Sequence, residues 1–265
     1  MLKKFESNSF ILYCVGLPVR IVRILQSAVN ALQGTSSMKM LTALLSVFLA
    51  AIFTACSSPS LRPVVTDGTL DAFEKRGGAA EYELVDGVIV GTAVPDTSNT
   101  FLCTKKHYGD FILELEFKVD PTLNSGIQVR SNAFNTPTSV KWTTANGGEE
   151  KSVTIAPGTV HGYQVEIDPT DRAWSAGIYD EARRGWLENL EDNQPAREAF
   201  RQGEWNKVRI EARGNSLKTW INGVPAADLE DDMTPSGFIG LQVHGVGPRK
   251  DRPQVRWRNL RIREL

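Results

Sequence analysis

The sequence predicts an all-β fold, a two-sheet antiparallel jelly-roll sandwich with one short helix in an insertion. Three observations carry that prediction. From about residue 65 onward, short runs alternate apolar and polar side chains with period two, as strands with one buried face do. Gly, Asn, Asp and Pro punctuate those runs at close intervals. Little in this stretch carries the 3.6-residue apolar period of a long packed helix.

The elements follow in order. Tyr82 to Val85 and Val88 to Gly91 flank Asp86-Gly87, a pair that accepts the positive φ of a type I′ hairpin turn. Phe101 to Thr104 is a short strand. Phe111 to Val119 is the clearest strand, with Phe111, Leu113, Leu115, Phe117 and Val119 inward and Glu114, Glu116 and Lys118 outward. Asp120-Pro121 stops it, Asn124-Ser125-Gly126 turns the chain, and Ile127 to Arg130 pairs back. Lys207 to Arg213, Leu217 to Ile221, Phe238 to Val243 and Val255 to Arg263 complete the antiparallel run, with Asn222-Gly223 as another tight turn. Residues 134–160, rich in Thr, Gly and Pro, read as a long loop. Residues 180–203 read as a second insertion with a short helix from about Pro195 to Phe200. Both are placed to wall a pocket.

Function is expected on one sheet face. In Tyr163 to Asp168, alternation sends Gln164, Glu166 and Asp168 one way and Tyr163, Val165 and Ile167 the other. Gln128 and Arg130 oppose Ile127 and Val129 in the same manner, and Gln242 and His244 oppose Leu241 and Val243. If these strands share a sheet, one face collects acids, a guanidinium and an imidazole. Such a set suits a polyol-binding or acid/base site better than a merely solvated surface.

Charge and cysteine content narrow the partners. Of 30 basic and 31 acidic groups, five and one lie in the first 56 residues, so the remainder holds 25 and 30, a net −5. That balance argues against nucleic acid, which calls for a basic stripe. Beyond Cys56 only Cys103 remains, so the folded part can form no internal disulfide, and Cys103 reads as inert core.

The N-terminal end reads as a targeting region. Met38-Lys39-Met40 and the apolar run Leu41 to Ala55 are too short for a comfortable membrane span and close on small residues, as export signals do. Phe53-Thr54-Ala55-Cys56 resembles the lipobox of bacterial lipoproteins, with Phe53 in place of the usual Leu. The resemblance implies lipidation at Cys56, a signal peptide over residues 38–55, a polar tether over 56–64 and a β-sandwich domain over 65–265. Residues 1–37 fit no part of this scheme and read as an N-terminal extension ahead of the true start. Ser57, rather than Asp, after Cys56 implies a cell-envelope lipoprotein at the outer membrane or facing the periplasm.

Seven fragments occur in a telling order: Asn124-Ser125-Gly126-Ile127 with Arg130, Gly162 to Asp168, Gly177-Ile178-Tyr179, Arg184-Gly185-Trp186-Leu187, Gly203 to Asn206, Trp220 to Gly223, and Gly240 to Gly245. Together they resemble the 3-keto-disaccharide hydrolase family, whose fold is a concanavalin A-like lectin/glucanase sandwich. The resemblance implies hydrolase or lyase action on glycosides oxidised at C3. A ketone at C3 acidifies the C2 hydrogen, so the site needs a base, an enolate stabiliser and an acid. It implies Glu166 and His244 as the proton-transfer pair and Arg130 at the carbonyl or enolate. Gln164, Asp168, Gln242 and Glu116 are expected to hold hydroxyls, with Tyr163, Tyr179 and Trp186 for sugar stacking, although parity puts Tyr163 on the core side. No cofactor is assigned, and a divalent metal on His244, Glu166 and Asp168 is the alternative electrophile. Oligomeric state is not legible.

Plainer readings stand beside these. Arg130 fits a surface ion pair with Glu116 or Glu166, His244 a structural place before Gly245-Val246-Gly247, and Asp168 a turn cap before Pro169. Two other functions also stay open. One is a non-catalytic carbohydrate-binding module. The other is a retaining glycosidase, because Glu166-Ile167-Asp168 resembles the start of the acidic strand motif of laminarinase-type glucanases, though Pro169-Thr170 departs from it.

Overall fold

The structure, a computed structural model, describes residues 60–144 and 148–265. Residues 1–37, the signal 38–55 and Cys56 lie outside the described residues.

Two sheets form the sandwich. The first contains β1 (Arg62–Pro63), β3 (Glu81–Val85), β4 (Val88–Thr92), β6 (Phe111–Val119), β13 (Asn206–Arg213), β14 (Ser216–Ile221), β15 (Val224–Glu230) and β17 (Gln254–Glu264). Its order is β15-β14-β13-β6-β17-β4-β3, with β1 paired to β17. The second contains β2 (Phe73–Gly77), β5 (Thr100–Thr104), β7 (Ser125–Ala133), β10 (Val160–Ile167), β11 (Ile178–Glu181), β12 (Gly185–Glu188) and β16 (Phe238–Val243), ordered β12-β11-β10-β7-β16-β5-β2. Every pairing is antiparallel. Among the described residues one short helix, α1 (Gln194–Ala199), follows Asn193, whose side chain accepts from the Ala196 amide as an N-cap.

The apolar rows meet between the sheets. Phe111, Leu113, Leu115, Phe117 and Val119 are buried as alternation requires, against Ile127, Val129, Val165, Ile167, Leu241 and Val243 of the other sheet. The Asp86-Gly87 and Asn222-Gly223 turns show positive φ at both central residues, as type I′ turns need. Pro63 pairs with Arg261, and Val64, the last residue of the segment read as a tether, enters the core.

One insertion differs from expectation. Within 134–160 the chain forms a two-stranded hairpin, β8 (Thr138–Thr143) and β9 (Glu150–Ile155), with Val140 opposite Val153 and Trp142 opposite Lys151. Its alternation is diluted by Thr, Ser and Lys, so composition masked a strand pair that pairing supports.

The three polar strands are neighbours, in the order β10-β7-β16. Glu166, Gly126 and Gln242 form one cross-strand row, and Gln164, Gln128 and Gly240 the next. Alternation fails at Arg130. Its φ of +48° and the register shifts opposite it form a bulge that adds a residue to the strand. The extra residue sends Arg130 away from Gln128 and gives that face to Ser131 instead.

Candidate active site

A cleft of about 330 Å³ opens on the face of the second sheet that looks away from the core, lined by Asn99, Asn124, Gln164, Glu166, Arg172, Tyr179, Glu181, Trp186, Gln242 and His244. Six of these are residues that the sequence nominated: Gln164, Glu166, Tyr179, Trp186, Gln242 and His244.

Glu166 is the buried acid of the site, 4% exposed on β10. Asn124 donates to one of its oxygens and Gln164 Nε2 to the other at 2.9 Å. Burial pushes its carboxyl up to about 7. The two amide donors and Arg172 pull the other way, while Asp168 adds to the rise. Glu181, on β11, is a second carboxyl in the cleft. Burial raises it as well, opposed by hydrogen bonds from Asn99 and Gln242. His244 is exposed at the rim, with Nδ1 2.8 Å from the Gly245 carbonyl. A carbonyl only accepts, so Nδ1 donates and Nε2 is the free ring nitrogen.

One wall is aromatic. Tyr179 and Trp186 meet edge to face at 5.4 Å, and Trp174 meets Trp186 at 4.9 Å. The Arg172 guanidinium lies 4.4 Å over Trp174 and 5.4 Å over Trp186, and its Nε donates to Asp168 at 2.8 Å. Among the described residues its two terminal amino groups make no hydrogen bond, and the residue lines the cleft.

Residues 63–263 match the family described as the 3-keto-alpha-glucoside-1,2-lyase-like domain. The chain belongs to that family. No curated protein sequence matches it. A protein of unknown function with a galectin-like fold from Bacillus subtilis aligns with a TM-score of 0.52 at 11% identity, over 78% of this chain and 97% of that one. The carbohydrate-binding module CBM66 from B. subtilis gives 0.49 at 13% identity, over 76% and 100%. A prokaryotic β-1,3-1,4-glucanase (lichenase) derived from a mouse hindgut metagenome gives 0.42 at 12%, over 74% and 94%. The likeness to the galectin-like protein is one of fold. Family membership places the 3-keto-alpha-glucoside-1,2-lyase-like domain of this chain among carbohydrate-active proteins.

Five assignments need correction. Arg130 is 2% exposed and donates to the carbonyls of Gly109 and Gly214 and to Asp110, because the bulge turns it from the cleft. Asp168 is fully buried one residue beyond β10. Its oxygens accept from Thr170, Arg172 and the Trp174 amide, so it caps the turn. Tyr163 is core, and its hydroxyl donates to Asp231. Glu116 belongs to the first sheet, where Arg258 and Asn259 donate to it at 2.7 and 2.9 Å. The metal set His244, Glu166 and Asp168 is not assembled, since Asp168 faces its own turn. Among the described residues no three His, Cys, Asp or Glu side chains gather to hold an ion.

Four cleft residues escaped the sequence reading: Asn99, Asn124, Arg172 and Glu181. Glu181 had a signal, since it stands two residues after Tyr179 on one strand and so shares its face. Arg172 had none. It reaches the cleft from a turn, where no periodicity fixes direction.

Proposed function

We propose that this domain cleaves the glycosidic bond of 3-keto-glycosides, with Glu166 removing the C2 proton. The observation that carries the reading is Glu166 itself, a carboxyl buried in a polar cleft and tuned to about 7, where a base is both substantially ionised and strong enough to act at neutral pH. Membership in the 3-keto-alpha-glucoside-1,2-lyase-like family supports a 3-keto-glycoside as the substrate class.

The step balances as an elimination. Glu166 takes the C2 hydrogen as a proton, and its bonding pair forms the C2–C3 enolate. Collapse of the enolate restores the C3 ketone, forms C1=C2 and expels the C1 oxygen with its electron pair. His244 Nε2, in the imidazolium form, gives that oxygen its proton, and later addition of water at C1 makes the net reaction a hydrolysis. Arg172 takes the role expected of Arg130. Packed against two tryptophans and tied to Asp168, it is a cation held where negative charge develops. Gln164, Gln242, Asn99 and Asn124 hold hydroxyls, and Tyr179 and Trp186 pack a sugar face. A retaining glycosidase acting through Glu166 and Asp168 is disfavoured, because Asp168 is committed to its turn. We also propose that Cys56 anchors the domain by lipid to the cell envelope.

Incubating the purified protein with a glucoside and with its 3-keto derivative, and following aglycone release, tests the reading. Release from the ketone alone is expected, with Glu166→Gln, His244→Ala and Arg172→Ala each slowing it about 10²-fold or more. Release from the plain glucoside, or binding of the ketone without release, refutes it.

A further inference from the structure

A line of buried polar side chains runs along the floor of the site and ends on Glu166. Ser131 Oγ lies 2.7 Å from Gln128 Oε1, Gln128 Nε2 donates to Gln164 Oε1 at 2.7 Å, and Gln164 Nε2 donates to Glu166 Oε2 at 2.9 Å. All four side chains are buried. The chain needs three local exceptions to regular sheet. The bulge at Arg130 brings Ser131 onto the face of Gln128. Gly126 leaves room for the Gln164 amide, which a Cβ there would meet at 2.4 Å, and Gly240 does the same for Gln128, whose Cβ lies 3.2 Å from such an atom. A sheet merely packing its outward face needs none of these.

We propose that Ser131 and Gln128 are positioning residues for Glu166, orienting the Gln164 amide so that its N–H, and never its carbonyl, faces the carboxylate. This rests on Glu166 as the base. An unanchored amide has two orientations of similar shape, and one would set its oxygen against a carboxylate oxygen. Ser131 breaks the symmetry. Its hydroxyl is the donor next to Gln128 Oε1, which leaves Gln128 Nε2 to donate onward and fixes Gln164 in turn. The single hydroxyl proton goes to Gln128 Oε1 at 2.7 Å, nearer than the competing carbonyls of Val129 and Tyr163, each 3.2 Å from Ser131 Oγ. The relay thereby favours the ionised form of Glu166 against the burial that opposes it, and leaves a fixed direction for the incoming proton. Neither Ser131 nor Gln128 lines the cleft.

The other groups facing Glu166 are Asp168 and Arg172 from the turn after its strand, Tyr179 from β11, and Glu181 and His244 in the same cleft. None changes when Gln128 does. In the full-length protein with ¹³C-labelled glutamate, the Glu166 carboxyl resonance, assigned by its loss in Glu166→Gln, is titrated alongside the pH profile of kcat/KM on a 3-keto-glucoside. Gln128→Met is expected to raise the Glu166 midpoint by about 0.5–1 pH unit, to move the acidic limb of the profile upward with it, and to lower kcat about 10-fold with KM within about two-fold. Ser131→Ala, a smaller change, keeps the test open if Gln128→Met does not fold, and is expected to shift both in the same direction by less. An unmoved carboxyl midpoint in a folded variant of either kind overturns the relay. A midpoint that moves while the kinetic limb stays sustains the relay and instead overturns Glu166 as the base.

Discussion

Glu166 should weaken the fold that holds it, and the size of the effect follows from its surroundings. Its carboxyl rises from an ordinary 4.5 to about 7 because burial penalises the charge. A carboxyl raised in the folded state contributes stability that is fully present below its unfolded value and is lost as pH climbs through the folded one. Between pH 5 and 8 the folded protein must give up a proton that the unfolded chain has already largely lost. At 1.36 kcal/mol per pH unit, the loss integrates to about 2.5 kcal/mol. For a domain of about 200 residues that is a fall in Tm of about 5–10 °C. Glu166→Gln removes this dependence. The amide also sets an N–H against Asn124 or Gln164, at a cost of about 1–2 kcal/mol that does not vary with pH. The informative quantity is therefore the change in Tm from pH 5 to 8, by calorimetry on both proteins. Groups common to both, including Glu181, raised by burial, and Glu114 and Asp231, lowered by their arginine and lysine partners, cancel in that difference. The variant should lose about 5–10 °C less than the parent over this range. Equal losses in the two proteins would show that the carboxyl is not tuned by burial and would remove the basis for its role.

Three further outcomes follow from the same geometry. Gly126→Ala places a methyl 2.4 Å from Gln164 Cδ and 2.8 Å from its Nε2, so the amide must leave Glu166; kcat/KM on a 3-keto-glucoside should fall about 10-fold, and a variant at parental rate would show that the Gln164 contact is dispensable. Arg130→Met strips donors from the Gly109 and Gly214 carbonyls and from Asp110, which should cost about 2–4 kcal/mol in urea unfolding while kcat/KM stays at the parental value; a large loss of activity at full stability would return Arg130 to the site. Cys56→Ala should release the protein from the detergent phase on phase partitioning and abolish lipid labelling, and unchanged partitioning would count against a lipid anchor.

The jelly roll was legible because it depends on period and punctuation. The row Phe111 to Val119 declares its buried face with no outside information, and Asp86-Gly87 declares its turn, since these are local properties of side-chain direction and backbone φ. The face carrying Gln164, Glu166, Gln242 and His244 was legible for the same reason, and the adjacency of β10, β7 and β16 turned a guess about parity into a cleft. Parity failed where the strand stopped being regular. Arg130 sits on a bulge and Asp168 just past the end of β10, so each points where only its own φ, ψ and partners send it. Glu181 shared the face of Tyr179, and its alternation was there to read. Arg172 and Asn124 come from turns, where direction is set by packing: two tryptophans and a buried aspartate in one case, the Glu166 carboxylate in the other. What the chain fixes by itself is which atoms alternate and where it bends, because those follow from bond geometry within a few residues. Which cation faces the acid, and how far burial lifts that acid toward neutrality, depends on atoms brought together from distant parts of the chain, and only the packed sandwich decides it.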